Sequence, residues 1–154
     1  MSKCKFGASV IEYLGHIISG KGVQADPSKT LAMVQWPSPK TLKSLRGFLG
    51  LTSYYKKFIR HYGSIAAPLT SLLKKNSFHW DEAVAVAFEA LKKAVSNPPV
   101  LNLPEFSKTF IIECDVSSIG MGAVLMQEGH PIAFYNKALK GPLMRESYLL
   151  LSLQ

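Results

Sequence analysis

The sequence predicts an α+β chain: a short strand pair, then helices, then three antiparallel strands. Short apolar runs punctuated by glycine lie near both ends, whereas between Asp26 and Ser96 apolar residues recur at spacings of three and four, and this change of period separates strand from helix. Asp26-Pro27, Thr41 and Asp81 precede the helical stretches as N-cap signals, and the Pro37/Pro39 and Pro98-Pro99 pairs follow them as stops. With 154 residues, 47% of them apolar and 18% charged, the composition is that of a globular protein. At that length roughly 70% of the unfolded surface can be buried.

From Lys3 to Ile18, Phe6, Val10, Tyr13, Leu14, Ile17 and Ile18 surround Gly7 and Gly15, the pattern of a hairpin at a sheet edge. The pattern opens in mid-strand, so the first strand is expected to belong to a larger sheet. Asp26 and Pro27 start a helix that Leu31, Val34 and Gln35 carry to Pro37. Thr41 caps a longer one, in which Phe48, Leu51, Tyr55, Phe58, Ile59 and Tyr62 share a side and Gly63 supplies the left-handed stop. Ile65 to Leu73 forms a short helix, and Asp81 caps a fourth through Val84, Ala87, Phe88, Leu91 and Val95. Thr109 to Asp115, Met121 to Gln127 and Pro131 to Tyr135 then read as strands, with Glu-Gly-His as a tight second link. The tail from Leu143 to Gln154 is helical in pattern.

Several function classes are excluded. The longest uninterrupted apolar run is Ala83 to Phe88, six residues against the about 20 of a membrane helix, so no membrane partner is expected. Cys4 and Cys114 are too few for a disulfide framework, which points to reduced thiols in an intracellular compartment, and His16, His61, His79 and His130 share no ligand spacing. No nucleophile elbow, phosphate-cradling loop or Cys-x-x-Cys pair is present.

Charge is the informative property. The net charge is +8, yet no acidic residue occurs between Asp26 and Asp81, where Lys29, Lys40, Lys43, Arg46, Lys56, Lys57, Arg60, Lys74 and Lys75 supply nine positive charges. The rest of the chain, with nine basic and ten acidic side chains, is close to neutral. Such segregation is the footprint of a polyanion partner, with a solvated helix surface as the plainer alternative. At 100° per residue, Lys43, Arg46, Lys57 and Arg60 form a stripe on the second helix with Gly50 and Ser53 at its centre, where a phosphate backbone can approach; alternatively, Gly50 serves helix packing.

Catalytic candidates are few. Strand alternation puts Ile111, Glu113 and Asp115 on one face, with Asp115 at the strand end near Ser117, Ser118 and Gly120. One aspartate can hold a divalent cation or simply cap a turn, and two-metal chemistry needs several converging carboxylates. Trp36, Tyr54, Tyr55 and Trp80 are candidates for base stacking or, more simply, for the core.

Taken in order, the landmarks resemble the gypsy-type retrotransposon Pol polyprotein. They are Lys-Cys-Lys-Phe at 3–6, Tyr-Leu-Gly-His at 13–16, Trp-Pro-x-Pro at 36–39, Leu-Arg-Gly-Phe-Leu-Gly-Leu-x-x-Tyr-Tyr-Lys-Lys-Phe-Ile at 45–59, Pro-Leu-Thr-x-Leu-Leu-Lys-Lys at 68–75 and Gly-Met-Gly-Ala-Val-Leu-x-Gln at 120–127. The resemblance implies the end of a reverse transcriptase palm at 1–25, a helical thumb at 26–77 and an incomplete ribonuclease H-like domain at 78–154. It implies a primer-grip role for Tyr13, Leu14, Gly15 and His16, and contact of Lys40, Lys43, Arg46, Lys56, Lys57, Arg60, Lys74 and Lys75 with an RNA–DNA hybrid or duplex, independent of sequence. Asp115 matches the first metal-binding aspartate of the ribonuclease H-like domain, although the family's Asp-Ala-Ser reads Asp-Val-Ser here, its Tyr-Ser-Lys reads Tyr135-Asn136-Lys137, and the surroundings of Glu146 do not match the family's glutamate helix. Mg2+ or Mn2+ serves the intact parent enzyme; this chain is expected to hold neither tightly and to be catalytically silent alone. The remainder of the Pol polyprotein is the implied protein partner, and a cytoplasmic particle or the nucleus the implied location, with an organelle left open. The alternative is a non-enzymatic interaction protein or a remnant of an integrated element.

Overall fold

The computed structural model describes residues 7–116, 120–138 and 151–153. Val10–Tyr13 (β1), His16–Ser19 (β2) and Gly22–Ala25 (β3) form an antiparallel meander in the order β1-β2-β3. Four helices follow: Pro27–Val34 (α1), Leu42–Tyr54 (α2), Tyr62–Ser71 (α3) and Glu82–Ser96 (α4), with a 3-10 turn at Lys56–Phe58. A second antiparallel sheet is built from Phe110–Val116 (β4), Gly120–Gln127 (β5), His130–Ala138 (β6) and Leu151–Leu153 (β7), in the order β6-β5-β4-β7.

The expected caps are in place. Asp26 Oδ1 accepts from the Ser28 amide at 2.8 Å, Thr41 Oγ1 from the Ser44 amide at 3.2 Å and Asp81 Oδ1 from the Val84 amide at 2.8 Å. Each satisfies one of the amides a helix start leaves unpaired. Behind these starts the helices share one core, in which Met33, Leu45, Phe48, Leu69, Phe88 and Leu91 are fully buried and the rings of Phe48 and Phe88 lie 4.6 Å apart. Helix α4 therefore packs on α1 and α3.

The helix expected from Thr41 to Tyr62 is broken. It ends at Tyr54, and the next amides bond at i→i−3: Tyr55 to the Thr52 carbonyl, Phe58 to Tyr55 and Ile59 to Lys56. His61 then adopts φ 56°, so α3 starts at Tyr62 and Gly63 lies inside it, not at a helix end. Phe58, Ile59 and Tyr62 are nonetheless buried, and the Tyr62 hydroxyl meets Thr52 Oγ1 at 3.0 Å. The apolar spacing thus marks core positions that a bent chain still delivers.

Two further elements differ from expectation. The hairpin gains a third strand, β3, because its outer edge pairs with the linker after α4: the Val23 amide donates to the Leu101 carbonyl at 2.7 Å and the Leu101 amide to Val23 at 2.8 Å. Gly22 is required there, since its φ is +123° and a Cβ would collide with the Leu101 carbonyl. Leu151–Leu153, expected as helix, pair antiparallel with Phe110–Ile112 on the open edge of β4. The rest of the tail that read as helix lies outside the described residues, as do Lys3 to Phe6, Ser117, Ser118 and Glu146.

The second sheet is anchored beside its β5–β6 turn. The Asn102 amide donates to the Pro131 carbonyl at 2.8 Å, and the buried Gln127 amide clasps the preceding loop by accepting from the Glu105 amide and donating to the Glu105 and Lys108 carbonyls. Ile111, Val116 and Tyr135 are exposed.

Candidate nucleic-acid interface

All nine cations between Asp26 and Asp81 are exposed. Among the described residues none of them forms an ion pair; the salt bridges present join Lys92 to Glu89 and Lys108 to Glu105 and Glu128. Lys40 precedes the Thr41 cap, Lys43 and Arg46 lie on α2, Lys56 and Lys57 in the 3-10 turn, Arg60 just beyond it, and Lys74 and Lys75 after α3. The stripe is therefore not the face of a single helix: Lys57 and Arg60 stand past the break, with the Lys57 ammonium 5.3 Å from the centre of the Phe58 ring.

The two glycines of α2 have different jobs. A Cβ on Gly47 would sit 3.3 Å from the Trp36 ring, so Gly47 serves packing. Around Gly50 nothing lies within 4 Å, and beside it Ser53 is exposed. The packing alternative for Gly50 is thus removed, leaving a bare patch of backbone between Arg46 and Lys57.

The Tyr13-Leu14-Gly15-His16 turn docks against the end of α2. Leu14 and Gly15 both have positive φ, 48° and 72°, as a tight two-residue hairpin requires. The Tyr54 hydroxyl donates to the Leu14 carbonyl at 2.7 Å, while the Tyr55 hydroxyl and the Asp26 amide both reach the Gly15 carbonyl at 3.0 Å. Burial pushes the Tyr55 phenol above its ordinary value, so it remains a protonated donor. A Cβ on Gly15 would lie 2.5 Å from that hydroxyl. His16 is buried among the rings of Tyr54, Tyr55 and Phe58; its Nδ1 lies 2.9 Å from the Leu14 carbonyl, which makes Nδ1 the protonated nitrogen. Tyr13 and Leu14 are exposed, so the four residues divide into a presented pair and an anchoring pair.

Asp115 lies on the sheet face turned toward the helices. Cross-strand pairing sets it in one row with Gly122 and Asn136, with Glu113, Val124 and Phe134 as the next row. Arg60 and His61 come over this face, and together these residues line an open groove of about 430 Å³. His61 stands near Gly122, its Nδ1 3.9 Å from where a Cβ would be, an ordinary contact distance. Asn136 Nδ2 donates to the Ile59 carbonyl at 3.1 Å. Among the described residues no three His, Cys, Asp or Glu side chains gather to hold a metal ion, so Asp115 and Glu113 by themselves do not make a two-metal cage. The sequence offered no signal for His61 or Asn136 at this site, since both owe their place to contacts across the fold.

Residues 80–149 match the RNase H-like domain found in reverse transcriptase. The retrovirus-related Pol polyproteins from transposons 297 and gypsy of Drosophila melanogaster are 43% and 38% identical over 141 and 153 residues, or 90% and 91% of this chain. The homologues of this chain thus include the Pol polyproteins of gypsy and related retrotransposons. The chain spans 13% and 15% of the length of those two Pol polyproteins. An uncharacterized mitochondrial protein of Arabidopsis thaliana is 59% identical over 111 residues, 71% of this chain and 70% of that protein. A similar fold is seen in the foamy viral protease-reverse transcriptase in complex with RNA/DNA hybrid, at 21% identity and a TM-score of 0.76, covering 86% of this chain and 19% of that one. The same viral protein in complex with dsDNA gives a TM-score of 0.75 and the same identity, over 86% of this chain and 29% of the other.

Proposed function

We propose that this chain binds the sugar–phosphate backbone of a nucleic-acid duplex, an RNA–DNA hybrid or DNA, through the cations of its helical segment, as the thumb part of a Pol polyprotein. The observation that carries this reading is the exposure of all nine cations in a segment without one acidic residue. Unpaired surface cations release condensed counterions when they meet phosphates, which drives binding without reading bases. The viral relatives in complex with hybrid and with dsDNA support the choice of ligand.

Salt titration by fluorescence anisotropy is the test. Affinity should fall steeply with salt and depend little on sequence, and changing Lys43, Arg46, Lys57 and Arg60 together to Ala should lower the log–log salt slope by about 0.9 for each phosphate contact removed. Absence of binding at low salt, or an unchanged slope in the fourfold variant, would overturn the reading. On the same view Asp115 is one ligand of a divalent-cation site whose other carboxylates come from outside the described residues. The chain alone should then leave an RNA–DNA hybrid uncut with Mg2+ or Mn2+, and cleavage abolished by Asp115→Asn would show otherwise.

A further inference from the structure

Helical periodicity cannot aim Arg60, the last cation of the stripe. The helix has ended at Tyr54, Ile59 is extended at φ −116° and ψ 110°, and His61 turns the chain at φ 56° without a side-chain cap for α3. One hydrogen bond to the second sheet holds this corner: the Asn136 amide donates to the Ile59 carbonyl at 3.1 Å, and His61 lies in contact range of Gly122, next in the same cross-strand row.

We infer that Asn136 is a positioning residue for duplex binding: by tying the Ile59 carbonyl to β6 it fixes the backbone from which Arg60 reaches a phosphate. This rests on the backbone-binding reading above. The chemistry requires a donor at this position. The Ile59 carbonyl needs a donor, which a carboxylate at this position cannot supply near neutral pH and a methyl group cannot supply at all. Asn136 touches no phosphate in this scheme and acts only through the corner it holds.

The experiment is a double-mutant cycle on the full chain, with a short DNA duplex as the probe and the salt slope as the readout. Arg60→Ala and Asn136→Ala should each reduce the slope by about 0.9, and the double variant should lose no more than either one alone. Lys43→Ala, remote from the corner, should add its own decrement to that of Asn136→Ala. An unchanged slope in Asn136→Ala, or decrements of Asn136→Ala and Arg60→Ala that simply add, would overturn the inference. Asn136→Asp keeps the side-chain shape and should behave as Asn136→Ala does; a wild-type slope in it would also overturn the inference. Hydrogen exchange reads the corner without any ligand: in Asn136→Ala, the amides of Phe58 and Ile59, which donate to the Tyr55 and Lys56 carbonyls, should exchange at least several-fold faster while those of α2 stay as they are. Unchanged exchange there would refute the tether even if the wild-type chain bound no duplex, whereas failure of the wild type to bind would refute the binding reading separately.

Discussion

The helical segment and the second sheet are built on opposite terms. The helices bury Leu45, Phe48, Leu69 and Leu91 completely and leave their surface to cations, whereas β4 to β6 bury Val124 and Gln127 and keep Ile111, Glu113, Asp115 and Tyr135 exposed. A core gathered from four helices can hold its shape while its outside is given over to one sign of charge. The sheet has no such core of its own: Phe134 packs it against the helical core, and hydrogen bonds hold its margins, from Gln127 to the 105–108 loop and from Asn136 to the segment after α2. Stability in this molecule thus resides where the proposed binding surface is, and the exposed carboxylates reside where stability is thin.

The largest test of that asymmetry exchanges one phenylalanine from each region. Phe48→Ala removes a fully buried ring packed between Trp36 and Phe88 and should destabilise the fold by about 3–5 kcal/mol in a urea titration. Phe106→Ala, at a ring 86% exposed on the loop before β4, should change the same measurement by about 0.5 kcal/mol or less. Comparable losses would mean that the loop before β4 is held as firmly as the helical core.

A smaller effect separates the docked turn from the binding face. Gly15→Ala meets both a left-handed φ and the Tyr55 hydroxyl, so thermal unfolding should show a loss of about 1–3 kcal/mol. Gly50→Ala fills open space on α2 and should stabilise by up to about 1 kcal/mol, while weakening duplex binding if the backbone there is approached closely. A stabilised Gly50→Ala variant with unchanged affinity would move the contact away from the middle of the stripe.

The smallest effect is set by pH. Hydrogen bonds from the Ser28 hydroxyl and amide hold the exposed Asp26 carboxyl below its ordinary value of 3.8, so the α1 cap contributes in full above that value and is lost as pH falls through the lower, folded one. Glu105 is likewise lowered, chiefly by its hydrogen bond with Lys108, and Lys108 is raised by Glu105 and Glu128. The loop before β4 should therefore lose its Glu105 contribution in acid and its Lys108 contribution as pH rises through the raised lysine value. Carbon-detected titration of the three side chains checks this, and an Asp26 midpoint at or above 3.8 would contradict the cap.

Much of this was legible in the residue order because it depends on neighbours within one turn or one strand. Asp26, Thr41 and Asp81 cap helices through amides two or three residues on, and the alternation in 110–116 assigns Glu113 and Asp115 to one face without knowledge of the rest of the chain. The charge segregation and the family landmarks were equally local. The break after Tyr54, the third strand at Gly22–Ala25 and the assembly of Arg60, His61, Asn136 and Asp115 around one groove were not. Each of these turns on a partner 40 or more residues away: Gly15 for Tyr55, Leu101 for Val23, Ile59 for Asn136. Spacing along a chain encodes which side of an element is apolar, but a buried carbonyl must find its donor wherever packing brings one, and that choice is made only when distant segments meet.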